Sequence, residues 1–177
     1  MIYLFIAPGF EEIEALAVLD ILRRAELEVQ SVGIGGKMIA GAHGITVACD
    51  ITGSEVVLED MEMMILPGGM PGTLNLEASR VVQDSIDYTV QNNLWLAAIC
   101  AAPSILGHKG LLDKKRATCF PGMETQLGDA VFTGNRVEQD GRLITGKGPG
   151  AAVEFGLKLV ECLLGAQRAT LLRDSLQ

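Results

Sequence analysis

Strand-length apolar segments alternate with longer segments of mixed polarity from the start of the chain. Four segments are predicted to be buried strands: residues 2–7, 27–34, 61–66 and 94–99. Three segments carry apolar and charged side chains at helical spacing: residues 11–25, 79–92 and 151–164. Residues 37–50 predict an inserted hairpin, and later strands are predicted at 116–119, 130–139 and 142–145. The alternation predicts an α/β fold, a mainly parallel sheet with helices on both faces.

Three loops that follow predicted strands are candidates for a ligand site. They are residues 8–10, residues 67–72 and the turn at Cys100. In an open parallel sheet, ligands bind beyond the carboxyl ends of the strands. We therefore expect the functional residues to meet at this edge.

Cys100 directly follows the most apolar predicted strand and precedes Ala101, Ala102 and Pro103. Proline is tolerated in a first helical turn, so this stretch predicts a strand, a tight turn and a helix. The arrangement resembles a nucleophile elbow without its usual flanking glycines. A helix N-terminus favours thiolate, so the pKa of Cys100 is expected to be low. The alternative is that Cys100 is a small buried apolar side chain, as most free cysteines are.

Glu14 shares the apolar face of the first predicted helix with Phe10 and Val18. Burial raises the pKa of a carboxyl group, so Glu14 is a candidate proton carrier for a thiolate nearby. The alternative is an ordinary acidic residue near a helix N-terminus, which is also our interpretation of Glu11 and Glu12.

Gly68 and Gly69 have no side chain to block a ligand, and their amides are candidates to stabilise an oxyanion together with the amide of Ala101. A tight turn that needs glycine for its backbone is the alternative. No Gly-Lys-Ser/Thr follows this loop and no G-x-G-x-x-G follows the first strand, so nucleotide binding is not supported. No cofactor is expected.

The chain has two histidines, His43 and His108. His108 follows Cys100 by a helical distance of roughly 12 Å, which excludes it as the base for that cysteine. His43 falls in a glycine-containing loop and is predicted to be solvent-exposed and outside the site. Two separated histidines do not favour a catalytic zinc site, so no metal is expected.

Composition narrows the class of protein. The chain has 177 residues, 49% of them apolar, which suits a single domain, residues 1–177, with its own core. A formal charge of -8 disfavours tight binding to nucleic acid or to an anionic membrane. The four cysteines form no disulfide or zinc pattern, and neither a signal peptide nor a membrane-spanning run is found. A cytoplasmic protein with free thiols is expected.

Leu16 and Leu19 lie on the side of the first helix opposite Glu14. A helix that is apolar on both sides needs a second apolar surface, which a homodimer would provide. Burial in the core of the same chain is the alternative.

The same motifs occur, in the same order, in one known superfamily. With Glu14, Pro67-Gly68-Gly69 and the elbow at residues 97–103, the chain resembles the ThiJ/PfpI superfamily over nearly its whole length. More closely, it resembles the branch of the Parkinson disease-associated protein deglycase and its bacterial relatives. The resemblance implies a flavodoxin-like, class I glutamine amidotransferase-like sandwich and a homodimer. It also implies a reactive Cys100 that is hydrogen-bonded by Glu14 and contacted by the amides of Gly69 and Ala101.

The resemblance further implies two classes of function. One is a cofactor-free enzyme that converts 2-oxoaldehydes such as methylglyoxal to hydroxy acids, as glyoxalase III does, or that removes glyoxal adducts by deglycation. Its substrate would be a small carbonyl compound or a glycated adduct. The alternative is a non-enzymatic redox sensor or chaperone-like protein that acts through oxidised Cys100 in oxidative stress.

Two positions differ from parts of the superfamily. Protease-like members have histidine directly after the cysteine, whereas this chain has Ala101, so a Cys-His protease is not expected. Some deglycase-like members have histidine at the position of Phe120, and other bacterial members have phenylalanine there. Cys119 is expected to point away from the Phe120 side of its strand, so it is interpreted as a core residue, like Cys49 and Cys162.

Overall fold

A seven-stranded sheet forms the centre of the molecule. The computed structural model describes residues 1–176, and Gln177, the last residue of the expected single domain 1–177, lies outside them. The strands are β1 (Ile2–Ile6), β2 (Val29–Gly33), β3 (Met38–Ala40), β4 (Thr46–Ala48), β5 (Ile51–Thr52), β6 (Met63–Leu66), β7 (Trp95–Ile99), β8 (Arg116–Ala117), β9 (Val131–Phe132), β10 (Val137–Asp140) and β11 (Leu143–Gly146). The sheet has the order β10-β11-β7-β6-β1-β2-β5 and is parallel except at β10–β11.

Helices cover both faces of this sheet. They are α1 (Glu12–Arg24), α2 (Gly72–Ala78), α3 (Arg80–Gln91), α4 (Pro103–His108), α5 (Ala152–Leu164) and α6 (Ala166–Ser175). Helices α1, α5 and α6 share one buried cluster, and α2, α3 and α4 share the other. The predicted α/β fold is therefore confirmed. Within residues 1–176, no helix combines the length and the hydrophobicity needed to cross a membrane.

Strand β1 shows why its sequence is apolar at every position. Ile2, Leu4 and Ile6 contribute to the cluster that contains α1 and α5, whereas Tyr3 and Phe5 contribute to the cluster that contains α3. Successive side chains of a strand point to opposite faces, so a strand covered on both sides needs apolar residues throughout. The same reasoning applies to β6, all of which is buried.

The insertion after β2 is the predicted hairpin. Its strands β3 and β4 are antiparallel and pair with each other as a separate two-stranded sheet. Strands β10 and β11 form a second hairpin, since Asp140 and Leu143 are paired across the turn between them.

The prediction of one strand over 130–139 is wrong. The structure has two strands there, β9 and β10, because the chain turns between them at Gly134, which has a φ of 69°. The segment 116–119 is a strand only at Arg116–Ala117. Helices α2 and α6 and the short strand β5 were not predicted.

The two leucines that suggested a dimer lie in different environments. Leu19 is buried in the cluster shared with α5 and α6, and Leu16 is half-buried. The core of the same chain therefore accounts for the apolar side chain of Leu19. Leu19 thus gives no support to the predicted homodimer.

Candidate active site

Cys100 lies at the turn between β7 and α4, beyond the carboxyl end of β7. Its φ is 66°, in the left-handed region that residues other than glycine rarely adopt. The amide of Cys100 donates to the carbonyl oxygen of Gly146 at 2.9 Å, and its carbonyl oxygen accepts from the amide of Phe120 at 2.8 Å. These bonds hold a strained backbone conformation, which is a recurrent feature of functional sites.

Glu14 lies beside Cys100 and is fully buried, with 0% of its surface exposed. Its Oε2 accepts a hydrogen bond from the amide of Gly68 at 2.8 Å. Its Oε1 is buried without a hydrogen bond of regular geometry, and the thiol of Cys100 is within hydrogen-bonding reach of the carboxyl group. Burial raises the pKa of Glu14 to about 7, although the bonds from Cys100 and Gly68 oppose the rise.

The sequence expectation for the pKa of Cys100 is wrong in direction. Burial and the neighbouring charge of Glu14 raise the pKa of the thiol, and the amides of Ala101 and Gly69 offset only part of the rise. An ionised thiol and an ionised carboxyl group this close repel each other, so the pair retains at least one proton near neutral pH. Thiolate forms most readily when Glu14 carries that proton.

The loop after β6 needs glycine because the chain passes close to both residues. A Cβ atom on Gly68 would lie 2.7 Å from Cβ of Cys100 and 2.9 Å from Oε2 of Glu14. Gly69 has a φ of 94°, and a Cβ there would lie 2.3 Å from the amide nitrogen of Glu11. The amide of Gly68 is already bonded to Glu14, so the amides of Gly69 and Ala101 are the ones directed at the sulfur.

A pocket of about 630 Å³ opens above Cys100. Apolar side chains form much of its wall: Ile13, Ile45, Met70, Phe120 and Met123. The pocket therefore exposes the sulfur to a small molecule while keeping Glu14 outside its lining.

Glu11, Glu12 and His43 meet at one side of this pocket. Glu11 and Glu12 lie at the N-terminus of α1, as interpreted from the sequence, but both carboxylates are buried. Glu11 caps α1 by accepting from the amide of Glu14 at 2.9 Å. His43 is exposed, as predicted, but the prediction that it lies outside the site is wrong, because it lines the pocket.

Each of these three residues offers one possible metal-ligand atom, a carboxylate oxygen or an imidazole nitrogen. These three atoms lie within 4.8 Å of one another, a spacing that could hold a metal ion. Glu12 already accepts from the amide of His43 at 2.7 Å and from its ring Nδ1 at 2.8 Å. The carboxylates thus have hydrogen-bond partners within the protein.

His108 lies outside the pocket lining, with its ring nitrogens 2.6 Å from Glu77 Oε1 and 2.9 Å from Gln126 Oε1.

The other cysteines are free thiols that do not line the pocket. Cys119 is buried in the cluster on the α3 side of the sheet, and burial raises its pKa to about 11. Cys49 is buried in the other cluster, where burial likewise raises its pKa to about 11. Cys162 is half-buried on α5. Their interpretation as packed residues agrees with these positions.

A comparison with protein families matches residues 1–162 to the DJ-1/PfpI family. The chain belongs to the DJ-1/PfpI family. This confirms the resemblance to the ThiJ/PfpI superfamily.

Individual DJ-1 proteins are similar over most of their length. Protein dj-1beta of Drosophila melanogaster is 34% identical over 166 residues, which cover 92% of this chain and 89% of that protein. A Caenorhabditis elegans relative, named glutathione-independent glyoxalase DJR-1.2, is 32% identical over 160 residues, covering 89% and 85% of the two chains. The structure of oxidized DJ-1 from Toxoplasma gondii superposes with a TM-score of 0.95 at 30% identity, covering 99% of this chain and 96% of that one.

Proposed function

We propose that this DJ-1/PfpI protein is a cysteine-dependent enzyme that converts a small 2-oxoaldehyde, such as methylglyoxal, into a 2-hydroxy acid without a cofactor. The observation that carries the proposal is the buried carboxyl group of Glu14 beside the thiol of Cys100 at the base of an open pocket. The relative named as a glutathione-independent glyoxalase supports the same chemistry.

The reaction begins with addition of sulfur to the aldehyde carbon. Cys100 passes its proton to Glu14 and forms the S–C bond, while the carbonyl electron pair moves onto oxygen. The amides of Gly69 and Ala101, already directed at the sulfur, stabilise this oxyanion. Glu14 then returns the proton to the oxygen, which gives a hemithioacetal.

An internal redox step converts the hemithioacetal into a thioester. The carboxylate of Glu14 removes the proton from the former aldehyde carbon, and the C–H electron pair becomes part of an enediol. Glu14 delivers that proton to the adjacent carbon, while the hydroxyl proton of the first carbon passes to the second oxygen. One carbon is oxidised and its neighbour reduced by the same electron pair, so no external oxidant is needed. Water then hydrolyses the thioester and regenerates the thiol.

The pKa of Glu14 suits this role. A proton carrier works best when its pKa lies near the working pH, because it must both accept and donate during one cycle. Burial brings the pKa of Glu14 to about 7, whereas an exposed glutamate would remain ionised.

Redox sensing is a second candidate function. Two oxygen atoms transferred from peroxide would convert the Cys100 sulfur to sulfinate, and each peroxide would be reduced to water. The buried Oε1 of Glu14, which lacks a regular hydrogen bond, favours this candidate because a protonated carboxyl group can donate to a sulfinate oxygen. Chaperone-like protection in oxidative stress would depend on the same oxidised cysteine.

The remaining sequence predictions stay predictions. They comprise deglycation of glyoxal adducts, a homodimer, a cytoplasmic location, the lack of a metal or cofactor, and the lack of tight binding to nucleic acid.

Lactate formation from methylglyoxal tests the enzyme proposal. We expect the wild type to form lactate, Cys100→Ser to form none, and Glu14→Gln to be slower by about 100-fold, a typical effect of losing a proton-transfer residue. Cys162→Ser is the matched control, since Cys162 is a free cysteine that does not line the pocket. We expect its rate to equal that of the wild type.

Undiminished turnover by Cys100→Ser would refute the proposal. An inert wild type whose Cys100 gains two oxygen atoms in mild peroxide would favour redox sensing instead. Mass spectrometry of the Cys100 peptide distinguishes these cases. In the sensor case, Glu14→Gln is expected to gain less sulfinate than the wild type.

A further inference from the structure

The pocket above Cys100 contains one titratable side chain that the proposed reaction has not yet used and that faces open solvent. The side chain of His43 is 69% exposed, and His43 lines the pocket together with Cys100. Glu14 is buried and does not line the pocket. His43 therefore offers an imidazole at the solvent-exposed side of the pocket.

His43 is held in place by a set of contacts. Glu12 bonds both its backbone amide and its ring Nδ1, at 2.7 Å and 2.8 Å. The amide of the preceding residue, Ala42, donates to the carbonyl oxygen of Phe10 at 2.8 Å. Gly41 leaves the space that Glu12 occupies, because a Cβ there would lie 2.3 Å from Oε1 of Glu12.

The contact with Glu12 fixes the proton on the imidazole ring. An ionised carboxylate accepts only, so Nδ1 of His43 must carry the proton that it shares with Glu12. In the neutral ring, Nε2 then has a free electron pair. A histidine whose tautomer is set by a carboxylate in this way can act as a general base through the opposite nitrogen.

We infer that His43 is a second proton-transfer residue of the proposed reaction, with Nε2 accepting the proton of the water that hydrolyses the Cys100 thioester. This inference rests on the proposed function. The water oxygen bonds to the thioester carbon, its proton goes to Nε2, and the C–S bond breaks with its electron pair on sulfur. The proton then passes from Nε2 to the sulfur, which restores neutral imidazole and thiol.

Few charged groups face His43. Glu12 raises the pKa of the imidazole through its hydrogen bond and its charge, and the charge of Glu11 adds to the rise. Besides His43, Glu11 and Glu12, Cys100 is the remaining titratable residue that lines the pocket. No lysine or arginine is found among the described lining residues. The base works only when deprotonated, so the rate of thioester hydrolysis should fall as the pH drops through a pKa above the ordinary value of 6.5.

The test follows the thioester on Cys100 in single-turnover reactions with methylglyoxal. We expect His43→Gln to hydrolyse it about 100-fold more slowly and to accumulate a Cys100 adduct. Hydroxylamine should release this adduct as a hydroxamate, which identifies a thioester. His108→Gln is the matched control, because His108 also contacts a carboxylate but lies outside the pocket lining.

Two further variants separate proton transfer from a structural role. Glu12→Gln should move the acid limb of the hydrolysis rate to lower pH, since the pKa of His43 returns toward its ordinary value. His43→Ala should regain hydrolysis when free imidazole is added, because the position is open to solvent. Damage to the fold alone would give neither result.

The outcomes separate this inference from the proposed function. If the wild type forms neither lactate nor a Cys100 adduct, both fail. If the wild type turns over and His43→Gln matches His108→Gln in rate and pH profile, the inference alone fails. A slow His43→Ala variant that accumulates no thioester and is not rescued by imidazole also contradicts it.

Discussion

The protonated carboxyl group of Glu14 makes the stability of the protein depend on pH. Its pKa rises on folding from 4.5 to about 7, mainly because of burial. Between these values the folded state binds more protons than the unfolded state, so the free energy of unfolding falls as the pH rises through this window. The full effect is about 3 kcal/mol and is reached above pH 7.

Glu14→Gln should therefore flatten this pH dependence, because glutamine has nearly the same shape and does not titrate. Urea unfolding between about pH 5 and pH 8 measures it. We expect the wild type to lose about 2 to 3 kcal/mol of unfolding free energy across this range and the variant to lose much less. If the unfolding free energy changes with pH equally in the two proteins, Glu14 has the same pKa in the folded and the unfolded state.

At the residue scale, the sequence predicted where Cys100 and Glu14 lie in the fold and not the direction of the pKa of Cys100. Cys100 and Glu14 could be recognised because each stands at a locally readable place, a strand end and an apolar helix face. The direction in which the pKa of Cys100 shifts could not be predicted, since it depends on burial and on the charge of Glu14 on another element. His43 was missed because its place in the pocket depends on contacts with residues about 30 positions earlier, which no local pattern encodes.

At the scale of elements, the β3–β4 hairpin is attached to the start of α1. The amide of Gly9 donates to the carbonyl oxygen of Ala40, and Glu12 accepts from the amides of the hairpin loop. The hairpin brings His43 to the pocket, although its strands do not join the main sheet. Its attachment therefore determines one side of the site.

Gly41→Ala should loosen this attachment. The new Cβ would lie 2.3 Å from Oε1 of Glu12, so the carboxylate must move and its bonds to His43 weaken. We expect faster hydrogen exchange at the amides of His43 and Ile45, and a loss of about 1 to 3 kcal/mol of unfolding free energy from the crowding. Gly150→Ala is the control, since no atom lies within 4 Å of its new Cβ. Unchanged exchange in Gly41→Ala would show that the loop does not depend on Glu12.

Elements with a strong hydrophobic periodicity were predicted from the sequence, whereas elements with a weak periodicity were not. Helix α3 was recognised from its spacing, whereas α6 buries only Ala169 and Leu172 and therefore carries little periodic signal. Helix α2 begins at Gly72, within a stretch that proline and glycine marked as a loop. The sheet order was beyond local reasoning, because strand pairing is decided by long-range packing.

For the whole molecule, a homodimer remains our prediction. Ile13 and Ile45 are exposed by 57% and 53%, and both line the pocket. The chain by itself therefore leaves an apolar surface uncovered around the site. A second copy would bury part of this surface. We expect sedimentation to show a dimer at micromolar concentration and Ile13→Glu to shift it toward monomer. Leu171→Glu is the control, because Leu171 is equally exposed on α6, outside the pocket lining. A wild type that sediments only as monomer would contradict the prediction.

The separate pairing of β3 and β4 has a consequence for how this fold can diversify. Cys100 and Glu14 are held by the packing of the main sheet and its helices, where most substitutions disturb the fold. The loop at residues 41–44 lies in a hairpin outside that sheet. Apart from Gly41, which leaves space for Glu12, the loop sequence can change with little effect on the core. The proposed hydrolysis and the substrate preference can therefore evolve, or be engineered by loop exchange, around an unchanged nucleophile.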